Sequence, residues 1–403
     1  MRKLSADYIF PVSSDPIANG LIAIDEKGKI LEVLAPSDIN YPSEGVEKHS
    51  GILCPGFINT HCHLELSYLK GKISQGNGLP EFLSRVTELR AADAAEVQAS
   101  IVAAEKEMIE AGIVAVGDIS NGNQSFAQKS KCNLKYYTFF ELIGFNPEKA
   151  ETVFQKGMDL LNEYHQLEKT NPQFKAKASI VPHAPYTVSG KLLKLIGNQC
   201  YAENGIISIH NQENEAENEF YTSGSGKFMD FLGSFGIDTA HWKPTGFNSL
   251  PSVLAQLPTC NKILLIHNTF TSAKDIDWAN NYSKMLYWCF CPKANLYIEN
   301  RLPNIDLFME KNARITIGTD SLSSNDTLSV LEELKTISQH FPHIPLQEQI
   351  KWATLNGAEL LGFKELGSFE KGKTPGINLL ENVNLDKMAL KKDSLVKIVA
   401  GSW

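Results

Sequence analysis

The chain has 403 residues, 43% apolar and 21% charged, enough to bury one large core or two domains. Its net charge of −8 is spread along the sequence, which argues against nucleic acid as a main partner, because phosphate binding needs a basic face. No apolar run reaches the ~20 residues of a membrane helix, so no membrane partner is expected. The start, "MRKLSADYIFPVSSDP", lacks the apolar stretch and small-residue site of a signal peptide. The seven cysteines (54, 62, 132, 200, 260, 289, 291) are scattered and form no CxxC pair. The expectation is a reduced, cytoplasmic protein with free thiols.

In chain order, residues 19 to 36, "NGLIAIDEKGKILEVLAP", read as a hairpin with a Glu-Lys-Gly-Lys turn. Eight apolar runs follow: "GILCPGFINTH", "GIVAVGDI", "LKYYTFFEL", "KASIVPH", "GIISIH", "KILLIH", "KMLYWCFCP" and "ARITIGTD". Each is apolar nearly throughout, as a strand buried on both faces must be. Between them lie helix candidates such as "AAEVQASIVAAEKEMIEAG", "SGKLLKLIGNQCYAENG" and "NDTLSVLEELKTISQHF". Strands alternating with helices in this way point to an α/β fold, a closed (β/α)8 TIM-type barrel. An open doubly wound sheet is the competitor, but no GxGxxG opens the first helix. The last segment, with "GSFEKGKTPGINLLENVN" and "SLVKIVAGSW", is again strand-like. Residues 1–50 and 363–403 are therefore expected to pair into a small β-sandwich domain, with the barrel at 51–362.

Polar residues sit at the C-terminal ends of these runs: His61 and His63, Asp118, Glu141, His183, His210, His267 and Asp320. A barrel converges its strand ends on one mouth, where function sits. The other five histidines (His49, His165, His241, His340, His343) are placed in helices or loops. His61 and His63 are two apart, so an extended chain presents both on one face and both can reach one ion. By itself this pair is weak evidence, since such pairs also occur on surface turns. Cys62 between them points the other way and reads as packing.

Glu213 follows His210 by three residues, where a carboxylate can hang over a metal without binding it and relay protons. The competing reading is an acidic helix N-terminus, which is preferred for Glu215 and Glu219 and leaves Glu217 open. Asp320 ends an apolar strand and needs a metal or a histidine as partner, because a buried charge is costly. His267 could hold a water or polarise a substrate. His183 stands between a structural histidine and a substrate contact.

Taken together, "PGFINTHCHLE", "PHAPYTVS", "HNQENEAE", "LLIHNT", "CPKANLYIENRLP", "GTDSLSSND" and "ATLNGAELLG" resemble the amidohydrolase superfamily, in its cytosine-deaminase-like and chlorohydrolase-like branch. The resemblance implies one divalent ion, zinc with iron as the alternative, held by His61, His63, His210 and Asp320. It implies Glu213 as proton shuttle, and Asp320 and His267 as the groups that handle the attacking water. Substrate contacts fall to His183, Glu65 and Glu141. The implied reaction is hydrolytic deamination of an aminated aromatic ring in a small-molecule substrate. "HLELS" with "FFELIGF" is similar to deaminases acting on aminodeoxyfutalosine, while guanine, adenosine-type and S-adenosylhomocysteine-type substrates stay open. Cyclic amide hydrolysis, dechlorination or a non-catalytic binding barrel are the alternatives, and a homodimer is an allowed assembly. Asn214, where relatives often carry threonine or serine, and Ala294, where they often carry serine, are departures that bear on substrate.

Overall fold

The computed structural model describes residues 1–42 and 44–401. The N-terminal part forms β1 (Arg2–Ile9), β2 (Ile17–Ala18), β3 (Leu21–Ile24), β4 (Ile30–Leu34) and β5 (Glu47–Pro55). Strands β3 and β4 make the expected antiparallel hairpin. Its turn is held by Asp25, whose Oδ1 accepts the N–H groups of Lys27 and Lys29 at 2.8 and 2.9 Å. Strands β6 (Phe57–Cys62), β7 (Ile113–Ser120), β8 (Lys135–Leu142) and β9 (Lys177–Pro182) form a parallel sheet in that order. Strands β10 (Ile207–Asn211), β11 (Ile263–His267), β12 (Leu286–Phe290) and β13 (Ile315–Ile317) form a second one. The chain ends with β14 (Ile377–Glu381) and β15 (Leu395–Ala400).

The run "GILCPGFINTH" is two strands rather than one. Gly51 to Pro55 belongs to β5 and pairs with β1 and β14, whereas Phe57 onward belongs to β6. Gly56 lies at the break. A Cβ there would come within 2.3 Å of Val114 Cγ1 and 2.7 Å of the Pro375 carbonyl oxygen. The close approach of these backbones excludes any larger residue.

Alternation inside the strands explains their double burial. On β11, Ile263 and Leu265 join the outer core shared with the helices, while Leu264 and Ile266 join a separate inner cluster. On β12, Leu286, Trp288 and Phe290 face outward and Tyr287 and Cys289 face inward. A sheet buried on both faces must be apolar at both parities. The two parallel sheets also touch at their edges. The His210 N–H donates to the His183 carbonyl at 2.9 Å, and the N–H groups of Thr319 and Asp320 donate to the His61 carbonyl at 3.0 and 3.1 Å.

The main helices near the site are α1 (Leu79–Glu88), α2 (Ala94–Glu110), α3 (Phe126–Lys129), α4 (Ala150–Thr170), α5 (Gly190–Glu203), α6 (Glu215–Ser223) and α7 (Lys227–Ser234). Side chains cap several of them. Asp93 caps α2, Ser189 caps α5, and Asn214 caps α6 by accepting the Ala216 N–H at 2.8 Å.

The terminal segments form one seven-stranded mixed sheet in the order β15-β14-β5-β1-β3-β4, with β2 paired to β1. It has its own apolar cluster, including Leu4, Ile9, Ile22, Leu53 and Leu379. Among the described residues these strands are joined by hydrogen bonds into this one sheet. His49 lies within β5, not in a helix or loop as its surroundings had suggested.

Candidate active site

Five histidines and an aspartate meet at the C-terminal ends of the parallel strands. His61 Nε2 lies 3.2 Å from His63 Nε2. Asp320 Oδ1 is 3.3 Å from His61 Nε2 and 3.4 Å from His63 Nε2. Potential ligand atoms of His61, His63 and His210 lie within 4.8 Å of one another, as do those of His61, His267 and Asp320. All of these side chains are buried.

Their backbones are bent to bring them there. His267 has φ +71° and Asp320 has φ +56°, in the left-handed region that L-residues avoid. Such conformations cost on the order of 1–3 kcal/mol each and persist only where the surroundings enforce them. Strand β13 ends three residues before Asp320, and Gly318 makes that turn possible. A Cβ on Gly318 would lie 2.8 Å from both His61 Cβ and Cys289 Sγ.

Hydrogen bonds set the tautomers. The His210 ring donates from Nδ1 to the His183 carbonyl at 2.8 Å, leaving Nε2 with its lone pair. Thr187 Oγ1 donates to the Ala184 carbonyl, so it accepts from His183 Nδ1 at 2.8 Å. His267 Nδ1 lies 3.4 Å from Asn295 Oδ1, leaving Nε2 facing Glu213 Oε1 at 3.5 Å.

Burial pushes the His183 and His210 rings down to about 3 and His267 to about 4, and holds His63 well below its usual value. These imidazoles are neutral at pH 7, the form that binds metal. Burial also opposes charge on His61, but hydrogen bonding to Asp320 prevails and raises it. Burial likewise works against the Asp320 carboxylate, and the surrounding histidines, His61 first, outweigh it and keep it well below the usual range. These two overlapping trios of imidazoles and a carboxylate, sharing His61, are donor sets suited to zinc or iron. Glu213 is the opposite case. Burial, then the charges of Asp320, Glu299 and Glu217, raise it well above the carboxylate range, which favours the protonated form.

The cavity beside this cluster has a volume of about 60 Å³. His63, His183, His210, Glu213, His267 and Asp320 line it, together with Glu141 and Tyr186. Glu141 reaches the cavity wall. Its Oε2 accepts from Asn121 Nδ2 at 3.1 Å, and its buried Oε1 has no hydrogen-bond partner.

Glu65 is placed differently from the other expected substrate contacts. It does not line the cavity. Its Oε2 accepts the backbone N–H groups of Asn121 and Gly122 at 3.0 and 3.2 Å, and its Oε1 accepts from Ser125 Oγ at 3.4 Å. Both oxygens are committed to holding the turn after β7, because the turn's exposed N–H groups need a buried acceptor.

Asp118, another strand-end acid, is held by Lys129. Its Oδ2 lies 2.6 Å from Lys129 Nζ, with both side chains fully buried. Its Oδ1 accepts the N–H of Leu64, next to His63, at 2.8 Å. Glu217 is buried and accepts from the Gln212 N–H at 2.8 Å and Ser249 Oγ at 2.5 Å, whereas Glu215 and Glu219 are exposed. Trp288 faces the helices and packs on Phe308. Sequence reasoning missed Arg90 and Asn121, which also line the cavity. Arg90 follows helix α1 rather than a strand, and Asn121, although it directly follows β7, is an amide and not one of the ligand or acid types that drew attention elsewhere.

Strand-end histidines and an aspartate on a parallel α/β frame define a metal-hydrolase type of site. The profile of the Amidohydrolase family matches residues 52–400, and the chain belongs to that family. An aminodeoxyfutalosine deaminase from Nitratiruptor sp. is 29% identical over 91% of this chain and 88% of its own length. A 5'-deoxyadenosine deaminase from Methanococcoides burtonii is 27% identical over 86% of this chain and 76% of its own. Among solved structures, Helicobacter pylori aminofutalosine deaminase superposes with a TM-score of 0.77 at 22% identity, over 94% of this chain and 91% of that one. This last likeness concerns the fold. No described helix is long and apolar enough to cross a membrane.

Proposed function

We propose that the protein is a mono-metal hydrolytic deaminase of an adenine-bearing nucleoside. In this reading the two parallel sheets close into one (β/α)8 barrel spanning 51–362, with 1–50 and 363–403 as the flanking β-domain. The edge hydrogen bonds from His210 and from Thr319 and Asp320 support that closure. His61, His63, His210 and Asp320 would hold the ion, zinc being the best match to the donors. When bound, the ion supplies a Lewis acid that lowers the pKa of a water to near neutrality.

The observation that carries the reading is the pairing of Glu213 Oε1 with His267 Nε2 at 3.5 Å, both buried, beside the ligand cluster. Glu213 can give its proton to a ring nitrogen, making the adjacent amino-bearing carbon electrophilic. As a carboxylate it can then accept a proton and pass it to the departing amine. His267 Nε2 accepts a hydrogen bond from the attacking water or the adduct. Asp320 accepts the proton that the water gives up. His183, with Nε2 free, and Glu141, with Oε1 free, contact the substrate's donor groups. The names of the relatives above support an adenine nucleoside as the substrate class.

The test is ammonia release by zinc-loaded protein from adenosine and 5'-substituted adenosines. Turnover of these, with none of cyclic amides or chlorotriazines, is expected. The reverse selectivity would overturn the reading.

A further inference from the structure

The cavity beside the ligand cluster has a volume of about 60 Å³. One water needs about 10–15 Å³, so a handful of waters fill it and a purine does not fit. A wall must therefore move to admit a substrate. The strand ends that carry the histidines form one side. Helix α1 forms another, with Leu79, Phe82, Leu83 and Val86 against the cavity. The chain enters α1 through "KGKISQGNG", a largely exposed segment in which Gly71, Gly76 and Gly78 have φ of +71°, +78° and +78°. A roof helix carried on such a segment can swing as a unit.

Glu299 fastens that roof. Gly78 brings no side chain to cap α1, and the Leu79 N–H donates instead to Glu299 Oε1 at 2.7 Å. Glu299 is the last residue of the helix Pro292–Glu299. A carboxylate is disfavoured at the C-terminal end of its own helix and favoured at the N-terminal end of another. Glu299 is thus poorly placed for its own helix and well placed for α1. The same helix is tied to the ligand cluster, since Asn295 Oδ1 lies 3.4 Å from His267 Nδ1. The carbonyls of Tyr297 and Ile298 also accept the N–H groups of Gly76 and Gly78 at 2.7 and 3.1 Å.

Glu299 Oε1 has a second donor. Asn214 Nδ2 lies 2.7 Å from it, while Asn214 Oδ1 caps α6. Asn214 directly follows Glu213, whose 3.5 Å approach to His267 is longer than a normal hydrogen bond. The Glu213 carboxyl is therefore placed by its backbone, and Asn214 fixes that backbone from the next residue.

We infer that Glu299 is a positioning residue: its Oε1 latches the roof helix α1 shut and, through Asn214, couples that closure to the placement of Glu213. With the roof shut, Glu299 is fixed by two donors and holds Asn214 firmly. With the roof open it keeps one donor and is free to turn. The latch stands on geometry alone, whereas its coupling to catalysis rests on the deaminase reading.

The test compares zinc-loaded parent with Glu299→Ala, Glu299→Gln, Asn214→Ser, and Asn214→Ser combined with Glu299→Ala. Serine keeps a cap for α6 and drops the donor to Glu299. Amide exchange of residues 79–88 is read by mass spectrometry, scaled to that of α5 so that a general loss of folding cancels. It should be at least about tenfold faster in Glu299→Ala, the worth of one charge-assisted hydrogen bond. Glu299→Gln, whose amide oxygen still accepts, should recover most of the protection. With adenosine and 5'-deoxyadenosine as substrates, Glu299→Ala should raise KM and lower kcat together, with kcat/KM falling about tenfold or more. Asn214→Ser should lower kcat with KM little changed, and should have no further effect on kcat in the Glu299→Ala background. That non-additivity distinguishes a coupled latch from a merely structural acid, whose loss would add to that of Asn214. Unchanged exchange in Glu299→Ala overturns the latch. Additive effects on kcat overturn the coupling to Glu213. If the parent releases ammonia from neither nucleoside, the deaminase reading fails and exchange alone decides. Faster exchange in Glu299→Ala with recovery in Glu299→Gln then sustains the latch, and unchanged exchange rejects it.

Discussion

The Nδ1 of His210 lies 2.8 Å from the carbonyl oxygen of His183. One residue thus supplies a side chain to the cavity and a backbone group that orients a neighbouring imidazole. The two functions separate by mutation. In the proposed site, His210→Ala should lose bound zinc after dialysis, by more than the about 10–100-fold drop in affinity that follows loss of an orienting partner. His183→Ala keeps the carbonyl and should retain one equivalent of zinc while raising KM. Metal analysis of both variants decides, and zinc loss in His183→Ala would contradict the assignment.

Glu213→Gln removes the proton relay but keeps the side chain's size. Turnover should fall by about 10²–10⁴, with zinc content unchanged. Steady-state ammonia release, paired with metal analysis, measures both. Near-normal kcat in a fully loaded variant would show that another group moves the proton.

The Asp118–Lys129 pair has no solvent to fall back on. Lys129→Met leaves a buried carboxylate facing Ser120 and the Leu64 N–H, and should cost about 3–5 kcal/mol in denaturant unfolding. The double variant Asp118→Asn, Lys129→Met should recover part of that loss. If the single variant unfolds like the parent, the pair is not a buried charge interaction.

Glu217 is raised to about 7 by burial, from 4.5. Below pH 4.5 both folded and unfolded chains carry the proton. As pH rises from there, the unfolded chain releases it first, so the folded chain binds more protons and stability declines until pH passes about 7. Glu217→Gln keeps an acceptor for Gln212 and Ser249 and removes the titration. The variant should lose a fall of roughly 3 kcal/mol over that window, read from urea unfolding at a series of pH values. An identical pH profile in parent and variant would rule Glu217 out as its source.

Glu65→Ala should act on substrate through the turn that Glu65 braces. With Asn121 released, Glu141 and Arg90 lose their shared anchor. KM should rise with zinc content unchanged, and stability should drop by about 1–3 kcal/mol for the orphaned N–H groups. A change in kcat alone would instead place Glu65 at the chemistry.

The strand ends were readable because burial makes polar residues conspicuous. His61, His210, His267 and Asp320 stand out against runs such as "KILLIH", and the structure brings them into two groups that share His61. Glu65 entered only through the resemblance, and its carboxylate is bound to the backbone of the turn after β7. Spacing along a chain does not say whether a carboxylate faces a cavity or a backbone turn 56 residues away. Arg90 follows the amphipathic helix α1 and Asn121 follows β7, but neither is a residue type that a metal site calls for, so nothing local singled them out. The break at Gly56 was also hidden, because a strand of the terminal sheet and a strand of the parallel sheet are both apolar and adjacent in sequence.

By itself, then, the sequence determined the alternation of buried strands and helices and the ligand types at the strand ends. Both are local patterns of polarity, written at fixed periods. Only the tertiary structure decided which acids face the cavity, which are locked to N–H groups or to Lys129, and how Arg90 comes to stand beside His183. Those outcomes depend on contacts between segments far apart in the chain, where hydrogen-bond geometry and desolvation, not periodicity, select the partner.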